Sequence, residues 1–299
     1  TALSIESENL LFIAGHRYII SLQEKSATER IFMAVKVRDI VIGEGMPKIC
    51  APVMGKTKTE IYEAAKAVKA KEGVSIAEWR ADAFDDVFDK TAVCAVLRKL
   101  RSVFENMPLL VTFRTKAEGG CREAEIQSYF QFLETVIDSR MADMIDIELE
   151  AGDIAPVIAA AKAARIVTVL SNHDFLKTPE EAVITGRLKA MAALGADIAK
   201  VAVMPKDGDD VLRLLHATMC ASAQLDCPVV TMAMGRVGLI SRLCGQQFGS
   251  SITFGTAGQL SAPGQIDAKK LYDILSLFDE KRCMCDGKNR MDEKLFKNT

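Results

Sequence analysis

Three histidines, one tryptophan and an aromatic share of 6% are thin material for a chain of 299 residues. The histidines stand at His16, His173 and His216. No two are spaced as ligands of one metal ion, so the chemistry is expected to be metal-free and to need no cofactor. Charge of one sign is missing too: 38 Lys and Arg against 40 Asp and Glu leave a formal net charge of -2. That balance offers no positive field for nucleic acid or anionic lipid, so an anionic substrate has to be held by a local cluster of Arg and Lys. No run reaches the ~18 apolar residues of a membrane span. The apolar stretch 10–14 follows Glu6 and Glu8 and precedes His16-Arg17, which does not read as a signal peptide. Glycine fingerprints fail as well. Gly43-Glu44-Gly45 meets Lys48 where a dinucleotide motif needs its third glycine, and Gly55-Lys56-Thr57 has Cys50 where a phosphate-binding loop needs its first.

The 8 cysteines (Cys50, Cys94, Cys121, Cys220, Cys227, Cys244, Cys283 and Cys285) are scattered, several within apolar runs. They suit the reduced thiols of a cytoplasmic protein better than a disulfide framework. Cys283-Met284-Cys285 is the only close pair, and it lacks a second Cys or His pair to complete a metal site.

What is present is a β-α alternation. Short β-branched runs at 48–54, 73–80, 109–114, 144–149, 166–171, 198–204, 228–233 and 251–254 alternate with amphipathic stretches such as 57–71, 127–140, 209–223 and 267–281. About eight β-α repeats over ~250 residues predict a (β/α)8 TIM barrel. An open doubly wound sheet is the competitor, and it usually carries the missing glycine fingerprint. Thr178-Pro179-Glu180-Glu181 reads as a capping box that starts a helix after the fifth strand. Residues 35–44 read as a β-hairpin around Arg38-Asp39 that closes the barrel floor. The expected organisation is an N-terminal extension (1–32), one catalytic barrel (33–281) and a charged tail (282–299).

Strands of a parallel barrel are apolar on both faces, because helices cover the outside and side chains fill the inside. Here polar groups interrupt them at even spacing near their C-terminal ends. Glu78 and Arg80 share a face opposite Trp79; Thr112 and Arg114 lie opposite Val111 and Phe113; Asp146 and Glu148 alternate with Ile145 and Ile147. Ser171 and His173 keep the parity of Val169, and Lys200 lies between Ile198 and Ala202. Side chains alternate along a strand, so these groups are expected to converge in the interior, at the end where barrel enzymes carry their chemistry. Taken singly, Glu78, Arg80 and Arg114 fit a structural ion-pair network as well, and Asp146 and Glu148 fit the holding of neighbouring cations. A lysine inside an apolar strand points more to a nucleophile toward a ketone, and His173 can serve as an acid and base beside it.

The ordered segments Glu78-Trp79-Arg80-Ala81-Asp82, Thr112-Phe113-Arg114-Thr115, Glu118-Gly119-Gly120, Ile145-Asp146-Ile147-Glu148, Ser171-Asn172-His173-Asp174-Phe175 and Lys200 resemble the type I 3-dehydroquinate dehydratases. So do Met234-Gly235, Ser241-Arg242, Phe248-Gly249-Ser250, Thr253-Phe254-Gly255 and Ser261-Ala262-Pro263-Gly264-Gln265. The resemblance implies dehydration of 3-dehydroquinate to 3-dehydroshikimate in the shikimate pathway to aromatic amino acids, with Lys200 forming a Schiff base. It also implies that His173 donates and accepts protons, that Glu118 orients His173, and that Arg242 grips the substrate carboxylate. Glu78, Arg80, Arg114, Ser261 and Gln265 are implied to hold the substrate, and the family suggests a homodimer. A class I aldolase, which also uses a barrel lysine, and a non-catalytic barrel are the rival readings. No fused shikimate dehydrogenase domain is expected within these 299 residues.

Overall fold

The computed structural model describes residues 34–258 and 262–278, together with the backbone of 9–13 and 16–20. The last two segments are strands β1 (Asn9–Ile13) and β2 (His16–Ile20), paired antiparallel in a region for which the sequence suggests no element.

Eight strands form one parallel sheet in the order β11-β10-β9-β8-β7-β6-β5-β12. They are β5 (Lys48–Val53), β6 (Ile76–Arg80), β7 (Leu109–Thr112), β8 (Met144–Glu148), β9 (Val167–Asp174), β10 (Ile198–Val203), β11 (Val229–Ala233) and β12 (Ile252–Phe254). β12 returns to pair with β5, and the Ser251 amide donates to the Val229 carbonyl at 2.8 Å, drawing β11 toward β12. The sheet is thus nearly closed into the expected (β/α)8 barrel.

The helices between the strands are α1 (Lys58–Ala70), α2 (Lys90–Phe104), α3 (Ile126–Ser139), α4 (Ala155–Ala163), α5 (Glu181–Ala193), α6 (Gly208–Gln224), α7 (Leu239–Cys244) and α8 (Ala268–Ser276). None of the described helices is long and apolar enough to cross a membrane. Local signals set several of their starts. Thr57, at the end of the failed phosphate-loop motif, caps α1: its hydroxyl accepts from the Glu60 amide while the Glu60 carboxylate accepts from the Lys56 amide. Asp89, Asp207 and Asp267 cap α2, α6 and α8 in the same sense.

Two apolar layers follow from strand parity. Ala77, Trp79, Val111, Phe113, Ile145, Ile147, Leu170, Ala199 and Val201 face outward into the helices. Cys50, Ile76, Leu110, Met144, Val169, Ile198 and Val230 fill the lower barrel. The hairpin β3 (Val35–Val37) and β4 (Ile40–Ile42) turns at Arg38, which has φ 51°. Val37 and Ile42 insert into that inner layer, and Arg38 donates to Asp143, just before β8. The floor is closed as the sequence suggests.

Two expectations need correction. The capping box at Thr178 does not form: α5 begins at Glu181, and the Thr178 hydroxyl is buried without a hydrogen-bond partner. Competing bonds hold this segment extended. Asp174 accepts from the Leu176 and Lys177 amides, Arg213 donates to the Thr178 carbonyl, and the Lys177 carbonyl accepts from Met204. The last helix is also shorter than 267–281, ending at Ser276; residues 279–281 lie outside the described residues.

Candidate active site

Above the inner apolar layer the barrel turns polar. Strand register aligns Glu148 with Ser171 and Ser171 with Lys200, while Arg80, Thr112 and Asp146 align across β6, β7 and β8. Parallel pairing therefore gathers side chains from five strands, although they are distant in the chain.

Arg114 is the hub. Its Nη2 donates to Asp146 Oδ1 at 2.7 Å, and its Nη1 to Glu148 Oε1 at 2.8 Å, Ser171 Oγ at 3.0 Å and Glu118 Oε2 at 3.2 Å. Asp146 receives Ser171 Oγ at 2.6 Å, and its other oxygen receives Lys200 Nζ at 3.1 Å. Burial opposes the Asp146 charge, but Arg114, Lys200 and Ser171 hold its pKa at about 2. Buried carboxylates are tolerable only when paired this fully. Lys200 Nζ also lies 4.7 Å from the centroid of the Phe254 ring.

Glu118 stands on the loop after β7, in a short turn ended by Gly119 at φ 83°. A Cβ on Gly119 would lie 2.2 Å from the Phe175 ring, and one on Gly120 would lie 1.8 Å from the Arg114 carbonyl oxygen. Only glycines let this loop press so closely onto the barrel rim. The turn brings Glu118 Oε2 to 2.8 Å from His173 Nδ1, while Asn172 Nδ2 donates to Glu118 Oε1 at 3.2 Å. Burial pushes the Glu118 carboxyl up to about 8 against the opposing pull of Arg114. Burial, then Arg114 and Lys200, pushes His173 well below its usual value. At neutral pH the imidazole is uncharged.

On the neighbouring wall, Arg80 makes two parallel bonds to Asp82, and Thr112 Oγ1 donates to Glu78 Oε1 at 2.9 Å. Arg242, on α7, is 1% exposed. Among the described residues its guanidinium reaches Met232 Sδ at 3.6 Å and the Pro263 carbonyl at 3.4 Å, and its Nε finds no partner. Among the described residues no carboxylate pairs with it, and burial lowers its pKa to about 10. A buried guanidinium left this way is prepared for an anion from outside.

These groups line one cavity: Glu78, Arg80, Arg114, Glu118, His173, Lys200, Arg242 and Gln265, all expected site residues, surround it together. Ser261 lies outside the described residues, although its neighbour Ala262 lines the cavity. Phe175, Ala202, Met232, Met234 and Phe254 complete the wall. Parity alone could have found the last three, since Met232 and Met234 continue the inward face of Val230, and Phe254 that of Ile252. Asp82 was also missed; it accepts from the Arg114 and Cys121 amides and so ties the Glu118 loop to Arg80. Among the described residues the one group of possible metal ligands lies elsewhere, at Glu181, His216 and Cys220 on the outer helices. The six described cysteines are all free.

The comparisons with known proteins agree with this geometry. The profile of the family described as type I 3-dehydroquinase matches residues 49–282. A 3-dehydroquinate dehydratase of Bacillus licheniformis is 45% identical over 246 residues, covering 81% of this chain and 96% of the relative. The structure of the type I 3-dehydroquinate dehydratase of Clostridium difficile, solved with covalently modified comenic acid, superposes with a TM-score of 0.79 at 43% identity. It covers 83% of this chain and 98% of that one. The Geobacillus kaustophilus 3-dehydroquinate dehydratase gives a TM-score of 0.80 at 39% identity, covering 82% of this chain and 96% of that one.

Proposed function

Because the chain belongs to the type I 3-dehydroquinase family, and so is a hydro-lyase acting on 3-dehydroquinate, we propose that it works through a Schiff base on Lys200. Lys200 Nζ attacks the substrate ketone, and loss of water from the adduct gives an imine. The imine withdraws electrons from the adjacent carbon, and His173 takes the proton there through Nε2 while Nδ1 is held by Glu118. The resulting enamine expels the β-hydroxyl, which leaves as water with the proton that His173 returns. Hydrolysis of the product imine restores Lys200 and frees 3-dehydroshikimate, for a net loss of one water. A positioned base beside an electron sink lowers the barrier to carbanion formation.

Arg242 holds the substrate carboxylate. Glu78, Arg80, Gln265 and Ser261 grip the hydroxyls, and Arg114 anchors the carboxylate cluster beside Lys200. The observation that carries this reading is the convergence of Lys200, the His173–Glu118 pair and the unpaired Arg242 on one cavity. The reaction belongs to the shikimate pathway and aromatic amino acid biosynthesis. The protein works in the cytoplasm as a homodimer, with residues 33–281 as its catalytic unit.

The test is the ultraviolet absorbance of the enone formed from 3-dehydroquinate, combined with borohydride treatment during turnover. The expected result is enone formation and a substrate-derived mass on the peptide containing Lys200. Turnover with no adduct on any lysine would refute the imine route.

A further inference from the structure

On the outer face of the barrel, α5 and α6 bring together three side chains that the dehydration does not use. Glu181 is the first residue of α5, and His216 and Cys220 stand one turn apart on α6. The intervening Ala217 and Thr218 are buried, as is Ala221, which leaves His216 and Cys220 on a flank of the helix. His216 Nδ1 lies 2.8 Å from Glu181 Oε2, and Cys220 Sγ lies 3.8 Å from the same nitrogen. One donor atom from each residue can be chosen so that all three lie within 4.8 Å of one another.

A tetrahedral zinc ion, with bonds of about 2.0 Å to nitrogen and oxygen and 2.3 Å to sulfur, keeps its donors roughly 3.3–3.5 Å apart. The two measured separations bracket that value. The His216 and Glu181 side chains are 54% and 40% exposed, so small rotations suffice to make up the difference. A plain ion pair would account for Glu181 and His216 but gives no part to the thiol, and such exposed pairs stabilise little. A mixed nitrogen, sulfur and oxygen set is instead suited to borderline divalent metals and poorly suited to magnesium or calcium.

We propose that Glu181, His216 and Cys220 form a surface site for a borderline divalent transition metal, zinc foremost, with water as the fourth ligand. On binding, the Cys220 thiol loses its proton to solvent and the sulfur lone pair goes to the metal; no oxidant or reductant is involved. The ion joins the first turn of α5 to the middle of α6. It thereby fixes the end of segment 174–180, which leads from His173 to α5.

Cobalt(II) is the probe, titrated into reduced, chelator-stripped full-length protein. The expected result is a near-ultraviolet thiolate-to-cobalt absorption that saturates at one equivalent and is displaced by zinc. Cys220→Ser should abolish it, and His216→Ala and Glu181→Gln should each weaken affinity by at least about tenfold, since even residues behind the ligands have effects of that size. Cys283 and Cys285 are a second source of thiolate, so the Cys283→Ser/Cys285→Ser double variant is titrated in parallel and must keep the absorption. Absence of the absorption, its survival in Cys220→Ser, or its loss in the double variant overturns the proposal. Thermal melting of Cys220→Ser without metal checks that the variant folds; if it does not, the His216→Ala and Glu181→Gln titrations decide.

Discussion

Arg80 and Asp82, two residues apart at the end of β6, face each other through parallel hydrogen bonds: Nε to Oδ1 at 2.8 Å and Nη2 to Oδ2 at 2.9 Å. Asp82 is fully buried and also receives the backbone amides of Arg114 and Cys121. One carboxylate thus orients a cavity-lining guanidinium and ties down both ends of the loop that carries Glu118. Asp82→Ala removes both of these bonds from a buried guanidinium and the acceptor of two loop amides, which costs about 3–5 kcal/mol of stability. Urea unfolding should show that loss, and kcat/KM should fall with it. A variant of unchanged stability would show that the Asp82 bonds do not hold the fold.

Lys200 and His173 should fail at different steps. Lys200→Ala is expected to yield no borohydride-trapped adduct with substrate or product. His173→Ala should still let the ketone reach Lys200, with turnover reduced by about 10²–10⁴-fold or more. Mass spectrometry of the trapped His173→Ala protein reads the difference. An adduct on Lys177 instead, or a normal rate, would reassign the roles.

The Glu118–His173 pair sets the acid side of the pH profile. His173 Nε2 can accept a proton only while Glu118 is ionised and takes the Nδ1 hydrogen. Protonating Glu118 reverses that bond and moves the imidazole hydrogen to Nε2. With burial raising Glu118 to about 8, kcat/KM should climb with pH through that region. Glu118→Gln removes this limb and lowers the plateau. What remains is the protonation of His173 itself, displaced well below 6.5. Profiles of both proteins decide the matter, and an unmoved limb would assign it to another group.

Arg242→Met should separate binding from stability. The guanidinium is buried without a carboxylate partner, so replacing it with an apolar side chain is expected to leave the melting temperature unchanged or higher. Loss of a charge-assisted contact to the substrate carboxylate should lower kcat/KM by about 10²–10³-fold, mainly through KM. Arg242→Lys should not restore it, because an ammonium cannot copy the planar two-point grip. A marked fall in melting temperature would show that Arg242 is chiefly structural.

Deleting residues 1–32 should leave solubility and turnover intact, because the barrel strands and their helices all begin later. Circular dichroism and the enone assay on the shortened chain test this; insoluble protein would show that the segment packs on the barrel.

The barrel was legible because its interior obeys a period of two. Glu78 and Arg80, Asp146 and Glu148, and Lys200 betrayed their inward faces through the apolar residues between them, and the structure aligns them in register. Residues off the strands gave no such signal. Glu118 on its loop and Arg242 on a six-residue helix were accessible only through family resemblance. Thr178 misled, because a local capping pattern cannot reveal that Arg213, Asp174 and Met204 compete for the same backbone. The Glu181, His216 and Cys220 cluster escaped because only the packing of α5 on α6 makes neighbours of Glu181 and His216.

The hairpin at the bottom has a consequence for traffic. With Val37 and Ile42 wedged into the lower interior and Arg38 latched to Asp143, the described residues plug the barrel at its lower end. Substrate, expelled water and product are then expected to share the opposite end, where Glu118, Gly119, Phe175, Ala262 and Gln265 line the cavity. Entry and exit therefore compete for one doorway, and a product lingering there blocks the next substrate molecule.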